Sequence, residues 1–163
     1  MADAGAGVGV GAIKSERETN RNCGDLTYKL KPFASPSDIE AACDAYEQLI
    51  SCSPDSIFDC VDGGIRYKTI CRDANLRQLA LDNIECMRGV NLGEVGNLSE
   101  CKETASYDWT WCALMEHYKN CYSQEYQEHC SRDAVEVSSA LIDAEIEYLR
   151  SVGDCDRIFS EDH

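Results

Sequence analysis

No stretch of this chain approaches the roughly 20 apolar residues that a helix needs to cross a bilayer, so a membrane span is not expected. Bases are few. Fifteen Lys and Arg stand against 30 Asp and Glu, a net charge of −15. That balance argues against nucleic acid as a partner, because binding a phosphate backbone requires a basic surface that displaces counterions. Catalytic signatures are missing as well. There is no Gly-x-Ser-x-Gly elbow, no phosphate loop, no His-Glu-x-x-His, and no Cys-Cys-x-x-His-Asp run of a secreted phospholipase. Asp55, Asp59 and Asp62 lack the order and the closing Glu of an EF-hand. No enzyme and no cofactor are expected. Cys-x-x-Cys is absent too, which removes a zinc ribbon and a thioredoxin-type redox pair.

What the chain has in quantity is cysteine, eleven in 163 residues. So many thiols without a metal-binding pattern indicate an oxidising, extracellular compartment. A length of 163 residues can bury a core of its own, so bridges reinforce the fold without replacing a core. An odd count leaves one thiol free, capped or bonded to another chain. The first residues, Met1 to Ala12, carry no basic start and include Asp3, unlike a secretory leader. Residues 1–22 read as a disordered Gly/Ala-rich tail on a mature protein, whether or not they are native. The folded body is expected over 23–158 as a single domain, with 159–163 as a C-terminal tail. Asn97-Leu98-Ser99 is an N-glycosylation sequon in a Gly-rich loop, making Asn97 a candidate glycosylation site.

Periodicity predicts an all-α fold, a compact disulfide-stapled bundle of about five to seven helices. Ser37-Asp38-Ile39-Glu40 reads as a capping box opening a helix that ends near Cys52. Ser53-Pro54-Asp55 breaks it and starts a short helix with Phe58 and Cys60. Residues 65–88 repeat apolar positions at mostly helical spacing. After a loop over 89–98 come an aromatic-rich helix near 107–121, a further one near 123–130, and the clearest helix at 132–151, stopped by Gly153. No alternating strand pattern is present.

Cysteines 43 and 52, 112 and 121, and 121 and 130 lie nine residues apart. Nine helical residues rise about 13.5 Å and turn through about 900°, which sets the two side chains on opposite faces. A bridge needs Cα atoms within about 7 Å, so the bridges must run between helices. Candidate disulfide cysteines are Cys23, Cys43, Cys52, Cys60, Cys71, Cys86, Cys101, Cys121, Cys130 and Cys155, with their connectivity open.

Three constellations have a chemical reading beside a structural one. His117, Cys121, Glu125 and His129 recur at i+4, but an oxidised Cys121 is no ligand, so the row reads as histidines beside a structural cysteine and no metal is expected. Leu114, Tyr118, Tyr122 and Tyr126 form a second row; Tyr118 and Tyr122 are candidate ligand-facing residues of an apolar pocket, with core packing as the plainer alternative. On the last helix Glu145 projects into the middle of the apolar arc, beside Ser138. A carboxylate there is either paired with an arginine such as Arg66, Arg72 or Arg77, the favoured reading, or faces a ligand. Acidic excess is concentrated late, with fifteen acids against five bases after residue 97, and reads first as a solvated face.

Tyr67-Lys68-Thr69-Ile70-Cys71, Asn83-Ile84-Glu85-Cys86, Cys101, Trp111-Cys112-Ala113-Leu114, Tyr118-Lys119-Asn120-Cys121, Glu128-His129-Cys130-Ser131-Arg132-Asp133-Ala134 and Cys155 resemble the pattern of secreted cysteine-rich helical proteins of arthropods, with nematode relatives. That family is found in haemolymph, venom, saliva and silk-gland secretions. The resemblance, over about 65–155, implies secretion and a helical fold and brings no catalytic residue. Family members tend to have Cys-Gly where this chain has Cys130-Ser131, and some have adjacent cysteines where it has Trp111-Cys112. The second departure makes Cys112 the candidate unpaired or intermolecular thiol. The expected function is a secreted, non-enzymatic structural or interaction protein of an extracellular fluid or material. It would meet a protein partner or itself, through an unpaired cysteine. The alternatives are a carrier of small apolar ligands and a venom or salivary effector that binds a host protein.

Overall fold

Pro36 opens the first helix instead of preceding it. Its ring presets φ for the first turn, where a missing N–H costs nothing. Ser35 is the cap, because the Asp38 N–H donates to Ser35 Oγ at 3.2 Å and to the Ser35 carbonyl at 3.1 Å. The start thus lies two residues earlier than the Ser37 box implied; Ser37 Oγ is engaged with Ser35 Oγ at 3.0 Å. The computed structural model describes residues 34–52 and 64–162. Its helices are α1 (Pro36–Cys52), α2 (Gly64–Cys71), α3 (Ala74–Asn91), α4 (Leu98–Glu103), α5 (Trp111–His129) and α6 (Arg132–Ser151), followed by a 3-10 turn at Phe159–Asp162. Among the described residues there is no strand, only an isolated antiparallel bridge between Thr110 and Ile158. The protein is an all-α, disulfide-stapled fold of the expected size.

Three boundaries differ from the sequence reading, each for a local reason. The 65–88 segment divides because Asp73 caps a new helix, its Oδ1 accepting the Leu76 N–H at 3.0 Å. The two helices expected over 107–130 are one, since nothing between Trp111 and His129 breaks the ladder before Cys130 leaves helical geometry. Ordered chain also runs beyond 158, so residues 159–162 are not a tail. Phe159 stacks on Tyr107 and meets Trp111 edge-on, and its N–H donates to the Trp109 carbonyl at 3.0 Å. The tail over 1–22, the entry segment before residue 34 and the short helix with Phe58 and Cys60 lie outside the described residues.

Helix α6 organises the bundle, packing along α5 and against α2 and α3. Ala134 and Val137 face inward from it and share one apolar cluster with Ile70, Ala80, Ile84 and Val90, and Ile146 is buried as well. Each fully buried aliphatic side chain contributes about 1.5–3 kcal/mol. Ser131 starts this helix: its Oγ caps α6, accepting the Ala134 N–H at 3.1 Å, and donates to Asn83 Oδ1 at 2.6 Å.

Among the described residues, four disulfides join elements that helix geometry keeps apart. Cys43–Cys71 ties α1 to α2, Cys86–Cys130 ties α3 to the end of α5, and Cys101–Cys121 ties α4 to α5. Their Cα separations are 5.2, 5.8 and 5.7 Å. Cys112, the expected unpaired thiol, is instead bonded to Cys155, with Cα atoms 4.9 Å apart. The reason lies in the start of α5, whose first N–H groups have no intrahelical acceptor. The C-terminal segment supplies one to each: Trp111 N–H donates to the Arg157 carbonyl at 2.9 Å and Cys112 N–H to the Cys155 carbonyl at 3.1 Å. That docking brings the two sulfurs together. With eight of eleven cysteines paired, the odd one falls among Cys23, Cys52 and Cys60, whose side chains lie outside the described residues.

Candidate functional site

The i+4 row on α5 does not serve a single purpose. Leu114 is buried in the core, while Tyr118, Tyr122 and Tyr126 line a cavity of about 350 Å³. Helix α6 faces them with Ser138, Leu141, Ile142 and Glu145; α3 adds Ile84, Met87 and Asn91, and α2 adds Arg66. The structure therefore brings together Tyr118, Tyr122 and Glu145, the three candidate ligand-facing residues. The tyrosines lie on α5 and Glu145 on α6, two packed helices joined by only two residues, Cys130 and Ser131.

Polar groups in this wall are placed. Glu145 Oε1 accepts from Arg66 Nη2 at 2.8 Å, the favoured structural pairing among the three arginines considered. Burial acts to lower the Arg66 pKa, but the hydrogen bond and charge of Glu145 outweigh it and hold the guanidinium above its ordinary value. The other two are occupied elsewhere: Arg77 pairs with Glu40 at 3.1 Å, and Arg72 lies against the Tyr46 phenol. Glu145 is thus both paired and cavity-facing, which the sequence treated as alternatives. Tyr126 closes the inner end. Its hydroxyl donates to Asn91 Oδ1, and burial pushes its pKa far above the usual phenol range. Tyr122 stacks on Tyr126 with ring centroids 5.6 Å apart. Lys102 of α4 lies over the Tyr118 and Tyr122 rings, 5.0 and 5.3 Å from their centroids, and donates to the Tyr122 hydroxyl at 3.2 Å. That is a cation–π contact holding both rings in place.

Arg66, named from the sequence only as a possible partner of Glu145, lines the site as well. Asn91, Met87 and Met115 escaped sequence reasoning, because nothing in the local pattern marks them as cavity residues. What the wall can do is bind: an apolar, aromatic surface with Ser138, Asn91 and an ion pair as polar points.

The remaining candidates lie elsewhere. His117 Nε2 is within 2.9 Å of the Cys101 carbonyl and 3.0 Å of Thr104 Oγ1, and its ring meets Trp109 edge-on. It joins α4 to α5 beside the Cys101–Cys121 bridge. Asn97 is exposed at the start of α4, and its side chain makes no cap hydrogen bond, leaving the amide presented to solvent. No helix among the described residues is long and apolar enough to cross a membrane. No family model matches the chain, and no curated protein or solved structure matches it.

Proposed function

We propose that the chain is an extracellular, non-enzymatic carrier of a small, mainly apolar ligand, held between the α5 tyrosines and Glu145. The observation that carries this reading is the cavity itself: about 350 Å³ walled by Tyr118, Tyr122, Tyr126 and aliphatic residues of two other helices. Sites for small ligands are concave, mostly apolar and carry a few fixed polar groups, at volumes from about 300 Å³ upward. The four disulfides among the described residues support both an oxidising location and a wall that keeps its shape without ligand. The resemblance to secreted arthropod cysteine-rich proteins supports the same location.

Fluorescence of N-phenyl-1-naphthylamine with the full oxidised chain tests the reading, alongside native mass spectrometry of protein taken from its natural fluid. Expected results are saturable probe binding, loss of that binding in Ile142→Trp, which fills the cavity, and co-purified ligand mass. Probe binding that is absent, or equal in the filled variant, sinks the carrier.

The structural or interaction reading keeps one observation in its favour, the odd cysteine among Cys23, Cys52 and Cys60. Its version through Cys112 is withdrawn. A disulfide-linked dimer on non-reducing electrophoresis, together with an empty cavity, would make it the better account.

A further inference from the structure

On either side of Tyr126, the last of the cavity tyrosines, α5 carries Glu125, Glu128 and His129, and their ligand atoms all lie within 4.8 Å of one another. Glu125 is only 8% exposed. One of its oxygens, Oε1, accepts the Asn97 N–H at 3.1 Å. The other, Oε2, is fully buried and has no hydrogen-bond donor. His129 Nε2 stands 3.4 Å from it, and Glu128 Oε2 stands 4.0 Å from the same nitrogen. Gly96, at φ +76°, lays the loop backbone directly over the pair: a Cβ there would run into Glu125 Oε2 and the imidazole.

A buried carboxylate oxygen left without a partner is costly. A charge-assisted bond from imidazolium would satisfy it, but such bonds run about 2.7–2.9 Å, shorter than the observed separation. Two ligands of one tetrahedral zinc, each at about 2.0–2.1 Å, stand about 3.4 Å apart. We propose that Glu125, Glu128 and His129 form a divalent-cation site, zinc by preference, with solvent completing the coordination from the exposed Glu128 side. Imidazole with carboxylates suits a first-row ion of zinc's character; calcium and magnesium call for six or more ligands, essentially all oxygen. The second cluster of ligand types, Cys101, His117 and Cys121, does not qualify. Its sulfurs are joined to each other, and His117 Nε2 is already occupied. The i+4 row that argued against a metal in the sequence therefore splits. Its cysteine half is structural, and its Glu125–His129 half is the site.

The test uses the full oxidised chain, stripped with chelator and with any remaining thiol alkylated, titrated with zinc chloride by calorimetry. One equivalent is expected, insensitive to excess calcium and weakened about tenfold or more in His129→Gln and in Glu128→Gln. Both side chains reach solvent, so these variants keep the fold, which far-UV circular dichroism verifies. Glu125→Gln, which retains an acceptor for Asn97, is expected to lose zinc while holding its apo melting temperature. No zinc uptake overturns the site, and so does uptake indifferent to all three substitutions. Naphthylamine binding in the zinc-free variants stays intact on this account, which separates this result from the fate of the carrier reading.

Discussion

The corner where α1 meets α2 and the wedge between α3, α5 and α6 use the same helical geometry and end in opposite states. At the corner Ile39 and Ile70 are 0% exposed and Cys43 1%, in one apolar cluster against which Cys71 packs. In the wedge three tyrosines, a serine and an ion pair surround about 350 Å³ of open space. The difference is one of side-chain shape and polarity. Aliphatic chains at i and i+3 or i+4 interlock from facing helices until no void remains. Planar phenols cannot fold into the gaps between them, and each hydroxyl must keep a polar partner. Tyr126 finds Asn91 and Tyr122 finds Lys102, so the rings are fixed at the wall and cannot collapse inward. Stability is concentrated where the packing is closed, and the proposed ligand binding belongs where it is not.

Breaking the closed corner is expected to give the largest effect. Ile70→Ala opens a void among fully buried neighbours and should cost about 2–5 kcal/mol in chemical denaturation. Removing the corner's bridge with Cys43→Ser and Cys71→Ser together should cost about 2–4 kcal/mol, measured in the same way.

Alkaline pH probes the inner end of the wedge. Burial raises the pKa of Tyr126 in the folded state, and that of Tyr46 against a smaller opposing effect of Arg72. Above the unfolded phenol value of about 10, the unfolded chain loses protons that the folded one retains. Stability is then complete below about pH 10 and falls as pH rises beyond it. Tyr126→Phe should flatten that fall while losing the Asn91 hydrogen bond, about 0.5–1.5 kcal/mol at neutral pH. An unchanged alkaline slope in reversible denaturation would remove Tyr126 as its source.

At the wedge's rim the effects on stability should be slight and those on binding clear. Arg66 and Glu145 are partly solvated, so Glu145→Gln is expected to shift stability by no more than about 1 kcal/mol. Naphthylamine affinity should fall in the same variant. A large melting-temperature drop would make the pair a structural strut. Smallest of all, Ser99→Ala should leave stability unchanged and remove the glycan-sized mass increment at Asn97 when the chain is made in a eukaryotic secretory host.

Much of this arrangement was legible from residues alone. A period of 100° per residue put Glu145 on the apolar side of α6 and narrowed its partner to an arginine. Which arginine depended on where α2 and α3 cross α6, and that left Arg72 with Tyr46 and Arg77 with Glu40. The tyrosine row was visible too, but whether it was core or wall required the facing helices. Glu125 was named only as a member of an i+4 series. Its buried, unpaired oxygen exists because the Gly93–Asn97 loop comes down on it, a tertiary event with no local signature beyond Gly96 itself. Cys112 misled because its spacing and neighbours say nothing of a partner 43 residues later.

By itself the sequence determined the helical periods, the absence of strands among the described residues and the need for bridges between helices, since these follow from interactions within a few residues. Only the tertiary structure decided which thiols meet, which arginine answers Glu145 and whether three tyrosines fill a core or frame a cavity. Those outcomes depend on how whole helices cross, and the crossing is set by the summed packing of residues far apart in the chain.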